Sequence, residues 1–148
     1  MFSQDFKEFL KLLNKNSVEY LIVGGYAVGF HGFPRYTGDI DVWVNSTADN
    51  AEKVLKSLDE FGFGDFNLSK EDFLTKKNLF QLGNPPFRID IIISIDGVTF
   101  KEAFLKKIVK SIDGIEINFI GLNELIKNKQ ASGREKDLLD LKNLTSDN

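Results

Sequence analysis

Asp39-Ile-Asp-Val-Trp-Val44 is the segment from which the rest of the chain is most easily read. Its β-branched residues and tryptophan predict a strand, and side chains along a strand alternate between faces. Asp39, Asp41 and Trp43 then point one way, and Ile40, Val42 and Val44 the other. A second apolar run, Phe87 to Ser94, repeats the arrangement: Ile89, Ile91 and Ile93 share a face, with Arg88 and Asp90 opposite. Aspartate is disfavoured in strands, so three of them in two strands need a chemical reason. Carboxylates crowded on a protected surface lose hydration and repel one another; a raised pKa, a basic partner or a cation relieves this. Arg35 and Arg88 are the candidate basic partners. The other solution is a hard divalent cation such as Mg²⁺, which takes oxygen ligands.

Upstream, Glu19-Tyr-Leu-Ile-Val-Gly24 reads as a short strand entering the Gly24-Gly25 pair. Gly25 to Gly32 then carries Tyr26, Ala27 and Phe30 at helical spacing. Such a turn exposes backbone N–H groups that can receive phosphate. Before it, Phe2, Phe6, Phe9, Leu10 and Leu13 mark an amphipathic helix with Ser3 as its cap. After the aspartate strand, Ser46-Thr-Ala-Asp49 has capping-box spacing for a helix to about Phe61. Gly62-Phe-Gly-Asp65 is a loop, leading to a helical or irregular segment from Ser69. Leu79 to Leu82 and Phe87 to Ser94 predict two strands joined at Asn84-Pro-Pro86.

Asp96-Gly97 marks a turn, Thr99 to Lys107 a helix, and Lys110 to Ile120 one or two strands pivoting on Asp113-Gly114. Two helices close the chain. The first spans Leu122 to Gln130; the second holds Leu138, Leu141 and Leu144 behind the capping-box spacing of Ser132-Gly-Arg-Glu135. Residues 145–148 read as a loose tail.

A length of 148 residues suits one domain with one continuous core. The chain has no cysteine, which excludes a disulfide framework, a thiolate zinc site and a cysteine nucleophile, and fits a cytoplasmic setting. The opening residues interleave charges with apolar side chains, so no signal peptide is expected. The longest apolar stretch, Tyr20 to Phe30, contains three glycines and falls well short of the roughly 20 residues that span a bilayer. A net charge of −3 argues against nucleic-acid binding through a broad basic surface, while leaving room for a local phosphate grip at Lys127, Lys129, Arg134 and Lys136.

In order and spacing, Gly24-Gly25-Tyr-Ala27, Arg35-Tyr-Thr37-Gly-Asp39-Ile-Asp41-Val and Arg88-Ile-Asp90-Ile-Ile resemble the signature of the polymerase β-like nucleotidyltransferase superfamily. The distal run Lys129-Gln-Ala-Ser-Gly-Arg134-Glu-Lys136-Asp137-Leu-Leu-Asp140-Leu is similar to that of its small branch containing abortive-infection toxins of toxin–antitoxin systems. The resemblance spans about residues 18 to 141. It implies an α+β nucleotidyltransferase fold, a mixed twisted sheet flanked by helices, in a single domain.

The resemblance also implies a chemistry: Mg²⁺-dependent transfer of a nucleoside monophosphate from a nucleoside triphosphate to a hydroxyl, with release of pyrophosphate. Asp39 and Asp41 would bind two metal ions, Asp90 would complete the catalytic one and help deprotonate the acceptor, and Gly24 and Gly25 would hold the triphosphate. Arg35 and Thr37 lie in the matching motif and join the nucleotide-binding set. Many relatives have a serine where this chain has Gly25, which leaves backbone N–H groups to contact phosphate.

Arg134 and Lys136 fall in the first turn of the last helix, where cations oppose the helix dipole unless an anion is bound. Lys129, Arg134 or Lys136 is therefore expected to contact triphosphate or acceptor, with Asp137 and Asp140 orienting these bases or docking the helix. The competing account is a solvated turn with a Lys136–Asp140 pair. His31 reads as packing, and Tyr36 and Trp43 either stack on a base or cover a core edge. RNA 3′ ends, protein side chains and small molecules are all open as acceptors, and an antitoxin or a second copy as partner. Two rival readings are a non-catalytic nucleotide-binding module and a sugar-nucleotide enzyme using the Asp-x-Asp pair.

Overall fold

The computed structural model describes residues 2–33, 38–63, 68–74, 79–84 and 87–145. Both aspartate-bearing runs form strands as expected, and they are neighbours. Among the described residues the strands are β1 (Tyr20–Val23), β2 (Asp39–Val44), β3 (Leu79–Asn84), β4 (Phe87–Ile92), β5 (Ile108–Ile112) and β6 (Ile115–Phe119). They join in one sheet of order β3-β4-β2-β1-β6-β5. The pairs β1–β2, β3–β4 and β5–β6 are antiparallel, whereas β2–β4 and β1–β6 are parallel. The α-helices among the described residues are α1 (Gln4–Lys15), α2 (Gly24–Phe30), α3 (Ala48–Phe61), α4 (Phe100–Leu105), α5 (Leu122–Ser132) and α6 (Glu135–Thr145), with a short 3-10 helix at Lys70–Phe73. This is the mixed α+β arrangement expected from the sequence.

The alternation in β2 and β4 sorts the two faces of the sheet. Ile40, Val42, Val44, Ile89 and Ile91 are buried on one of them, in a cluster with Phe6, Phe9, Leu10 and Leu13 of α1 and Val54 and Leu58 of α3. Trp43 belongs to a second cluster with Leu21, Val23, Ala27, Ala103, Leu125 and Leu144. Its indole donates to the Ile93 carbonyl at 3.0 Å and meets Phe100 edge-on, so it covers the core instead of awaiting a base. Along the face of β2 that carries Trp43, the apolar cover reaches that residue, while Asp41 borders an open cleft.

Two local expectations shift, and one left open between two forms is decided. The cap of α3 is Thr47, whose hydroxyl accepts from the Asn50 N–H, one residue later than the Ser46 spacing suggests. Ser132 does not cap α6: it is the last residue of α5, which closes on Gly133, and its hydroxyl donates to Asp137 at 2.7 Å. The Lys110–Ile120 region resolves into two strands, β5 and β6, joined at Asp113-Gly114. The proposed turn at Pro85-Pro86 and the tail beyond Thr145 lie outside the described residues.

Candidate active site

The parallel pairing of β2 with β4 sets Asp41 directly beside Asp90, and Asp39 beside Arg88. Adjacent strands are about 4.8 Å apart, so the Asp41 and Asp90 carboxylates emerge as close neighbours from one face. Asp90 is buried, at 6% exposure, and Asp39 and Asp41 are partly buried. Burial is the largest influence on Asp41 and, with the charge and hydrogen bond of Asp90, pushes its pKa up to about 7; Lys136 opposes the shift and Asp39 adds to it. The sheet thus holds two carboxylates closer than two full negative charges favour.

Arg88 answers part of this charge. Its Nη2 donates to Asp39 Oδ2 at 2.6 Å and to Asp90 Oδ2 at 3.5 Å, and its Nε donates to Asp90 Oδ1 at 3.0 Å. Among the described residues, the basic partner anticipated as an alternative to a cation is Arg88; Arg35 lies outside them. Among the described residues, no three acids or imidazoles are gathered about a single point. Asp41 and Asp90 stand together, while Asp39 is tied to Asp90 through the guanidinium. The donor chemistry itself, all carboxylate oxygen, fits a hard divalent cation.

The glycine turn closes over Asp41. Gly24 has φ of +66°, a left-handed conformation, and a Cβ built there would overlap the Asp41 carboxylate. Only glycine brings the backbone this close to the acid. The residue before α2, Val23, offers no side-chain cap, so the first turn has no capping side chain of its own. Gly25, in that turn, is buried.

A cleft of about 430 Å³ opens beside this turn, bordered by Gly24, Asp41, Ser94, Asp96, Lys129 and Arg134. Asn128 donates to the Asp96 carbonyl at 3.0 Å and so joins the turn after β4 to α5. Arg134 is two-thirds exposed at the cleft and is held by Asp137, with Nε to Oδ2 at 2.7 Å and Nη2 to Oδ1 at 3.3 Å. Its charge also feels Asp41. Lys136 is exposed, close enough for its charge to lower the Asp41 pKa.

Lys129 departs from expectation. It borders the cleft, yet its side chain is only 3% exposed and its ammonium pairs with Asp137 at 3.1 Å and Asp140 at 3.2 Å. Asp137 also accepts from Ser132 and Arg134, and these donors hold its pKa well below the usual carboxylate range although burial raises it. The buried group docks α6 on α5, one of the two roles foreseen for Asp137 and Asp140. Lys136 is not needed to pair with Asp140, which Lys129 already engages.

Arg35 and Thr37, expected to bind nucleotide, and Tyr36, lie outside the described residues. His31 contacts the Ile120 carbonyl at 2.8 Å and packs against Phe30, as its packing role requires. The sequence reading did not identify Ser94, Asp96 and Asn128 as cleft residues. Asp96-Gly97 was legible as a turn, but nothing local in sequence says that α5 would fold against it.

A family model described as nucleotidyl transferase of unknown function (DUF2204) matches residues 2–147. No curated protein matches the chain by sequence. Among solved structures, a putative nucleotidyltransferase from Thermotoga maritima is similar, with a TM-score of 0.63 at 15% identity over 93% of this chain and 88% of that one. The lincomycin-bound lincosamide antibiotic adenylyltransferase LnuA also has a TM-score of 0.63, at 18% identity, covering 99% of this chain and 98% of its own. An antigenic nucleotidyltransferase-like protein from Paracoccidioides brasiliensis has a TM-score of 0.55 at 17% identity, over 97% of this chain and 77% of that one. At these identities the likenesses establish the fold.

Proposed function

The chain belongs to the DUF2204 nucleotidyl transferase family, and on that premise we propose that it moves a nucleoside monophosphate from a nucleoside triphosphate to a hydroxyl acceptor, releasing pyrophosphate. One observation carries the site assignment: Asp41 and Asp90 stand in register on parallel strands, with Asp39 on the same face of β2 and the Gly24 turn against Asp41. Asp39, Asp41 and Asp90 would hold two Mg²⁺ ions, which supply charge neutralisation at the attacking oxygen and at the leaving pyrophosphate.

The protein's own groups do the rest. Asp90 helps to take the proton of the acceptor hydroxyl. The N–H groups of Gly24 and Gly25 receive triphosphate oxygens, and Arg134 and Lys136 bind phosphate from the far side of the cleft. Asp137 fixes the Arg134 guanidinium in place, and Lys129 supports Asp137 from beneath. Arg35 and Thr37 complete the nucleotide contacts by their place in the motif. The Ser94 and Asp96 side of the cleft is left for the nucleoside or the acceptor.

The acceptor is an RNA 3′ end, a protein side chain or a small molecule. The near-complete mutual coverage with LnuA, which acts on an antibiotic, favours the last. The experiment is to incubate the purified protein with Mg²⁺, each α-phosphate-labelled nucleoside triphosphate and a cell lysate, then resolve products before and after nuclease or protease. The Asp39→Ala, Asp41→Ala double variant is the control. Label entering one acceptor class with the intact protein alone supports the proposal; binding of triphosphate without any transfer refutes it. The resemblance to abortive-infection toxins adds a second expected outcome: expression without an antitoxin slows growth, and expression of the double variant does not.

A further inference from the structure

Arg88 occupies the ground on which a cation would sit. In the register of the sheet it faces Asp39 across the β2–β4 pairing and stands two residues before Asp90, on the same face as both. Its guanidinium engages both oxygens of Asp90, at 3.0 and 3.5 Å, and Asp39 Oδ2 at 2.6 Å. Lone pairs aimed at N–H groups are not free to ligate a metal in the same geometry. The guanidinium is also planar, so a single group satisfies two acids that the strands hold apart.

We propose that Arg88 is a displaceable counter-ion of the acid cluster, competing with divalent metal for Asp39 and Asp90, so that metal binding requires the guanidinium to leave. This rests on the metal reading given above. The arm is 28% exposed, so it can swing aside through rotation of its own side chain without opening the sheet. A bound triphosphate offers the released guanidinium a new anionic partner with the same bidentate geometry. Metal and nucleotide would then assist each other: the nucleotide stabilises the displaced arginine, and the displaced arginine frees the carboxylates. The nucleotide-free site stays neutralised without metal, and metal fills it at lower concentration when nucleotide is present.

The test reads metal binding. Mn²⁺ is titrated into nucleotide-free wild-type protein and Arg88→Gln, with affinity taken from calorimetry and from the paramagnetic signal of free Mn²⁺. Removing the competing charge is expected to tighten Mn²⁺ binding by about tenfold, within the usual range of couplings between neighbouring sites. A permanent structural salt bridge predicts the opposite, because its loss disorders the acids and weakens the metal. Wild-type binding that folded Arg88→Gln fails to tighten overturns the counter-ion role and leaves the metal reading standing. Absence of Mn²⁺ binding to both proteins overturns both. Should Arg88→Gln not fold, the Arg88 Nε–H resonance of isotope-labelled wild type gives the answer: saturation with Mg²⁺ should shift it, and an unmoved resonance refutes displacement.

Discussion

Alanine at Gly24 separates backbone strain from site geometry. The residue sits at φ of +66°, and the new Cβ would overlap a carboxylate oxygen of Asp41. A left-handed conformation costs an L-residue about 1–2 kcal/mol, partly offset by about 0.4–1 kcal/mol from a less flexible unfolded chain. The overlap adds a second effect that Gly114 lacks: there φ is +80°, and a Cβ would meet no heavy atom within 4 Å. Gly114→Ala therefore shares the strain without the collision. Both variants should lose on the order of 1 kcal/mol in urea unfolding, Gly24→Ala more than Gly114→Ala. Only Gly24→Ala should displace Asp41, and a shift near 1 Å in a reacting group costs on the order of 10²-fold in rate. Labelled-nucleotide transfer reads the rate, and Mn²⁺ binding gives a readout that does not depend on the acceptor. Transfer and metal affinity for Gly24→Ala equal to those of Gly114→Ala would refute the claim that this glycine is required by Asp41.

Asp41 also sets a pH dependence. Its folded pKa is raised to about 7, above the roughly 3.9 of an unfolded aspartate, so the folded state binds the proton more tightly. In metal-free buffer with chelator, its contribution to stability is present below about pH 4, falls as pH rises, and is lost above about pH 7; Asp41→Asn should flatten that decline. A decline of equal size in the variant would remove Asp41 as its source. On the distal side, Lys129→Met removes the buried ammonium that Asp137 and Asp140 share and should destabilise the fold by about 3–5 kcal/mol in urea unfolding. Lys136→Glu, at an exposed position, should leave stability within about 0.5 kcal/mol while weakening nucleotide binding measured by calorimetry. Unchanged nucleotide affinity there would exclude Lys136 from the phosphate grip.

The sheet was legible where side-chain alternation is strict. The period-two pattern of β2 and β4 put three aspartates on one face, and nothing in the fold overrides it. Their register was not legible, because strand pairing depends on which chain segments meet and not on the pattern within each. Helix ends were less secure: Ser46 and Thr47 are both capping residues, and the first turn selected the second. Lys129 is the clearest failure of local reading. A lysine amid Lys127, Asn128 and Gln130 reads as part of a phosphate grip, and its burial follows only from α6 returning to supply Asp137 and Asp140. Arg88 was legible as a partner for the acids. Its bridging of Asp39 and Asp90 required the parallel pairing.

That pairing fixes the spacing of Asp41 and Asp90 by main-chain hydrogen bonding. A slip of β4 by one residue would replace Asp90 with an isoleucine and turn the acid into the core, so intermediate spacings do not exist. The distance between the two carboxylate-bearing positions is thus a property of the lattice of the sheet, indifferent to sequence drift in the loops around it. The surrounding walls, built from the turn after β4 and the α5–α6 corner, are free to be remodelled for a different acceptor while the gauge between the acids stays constant.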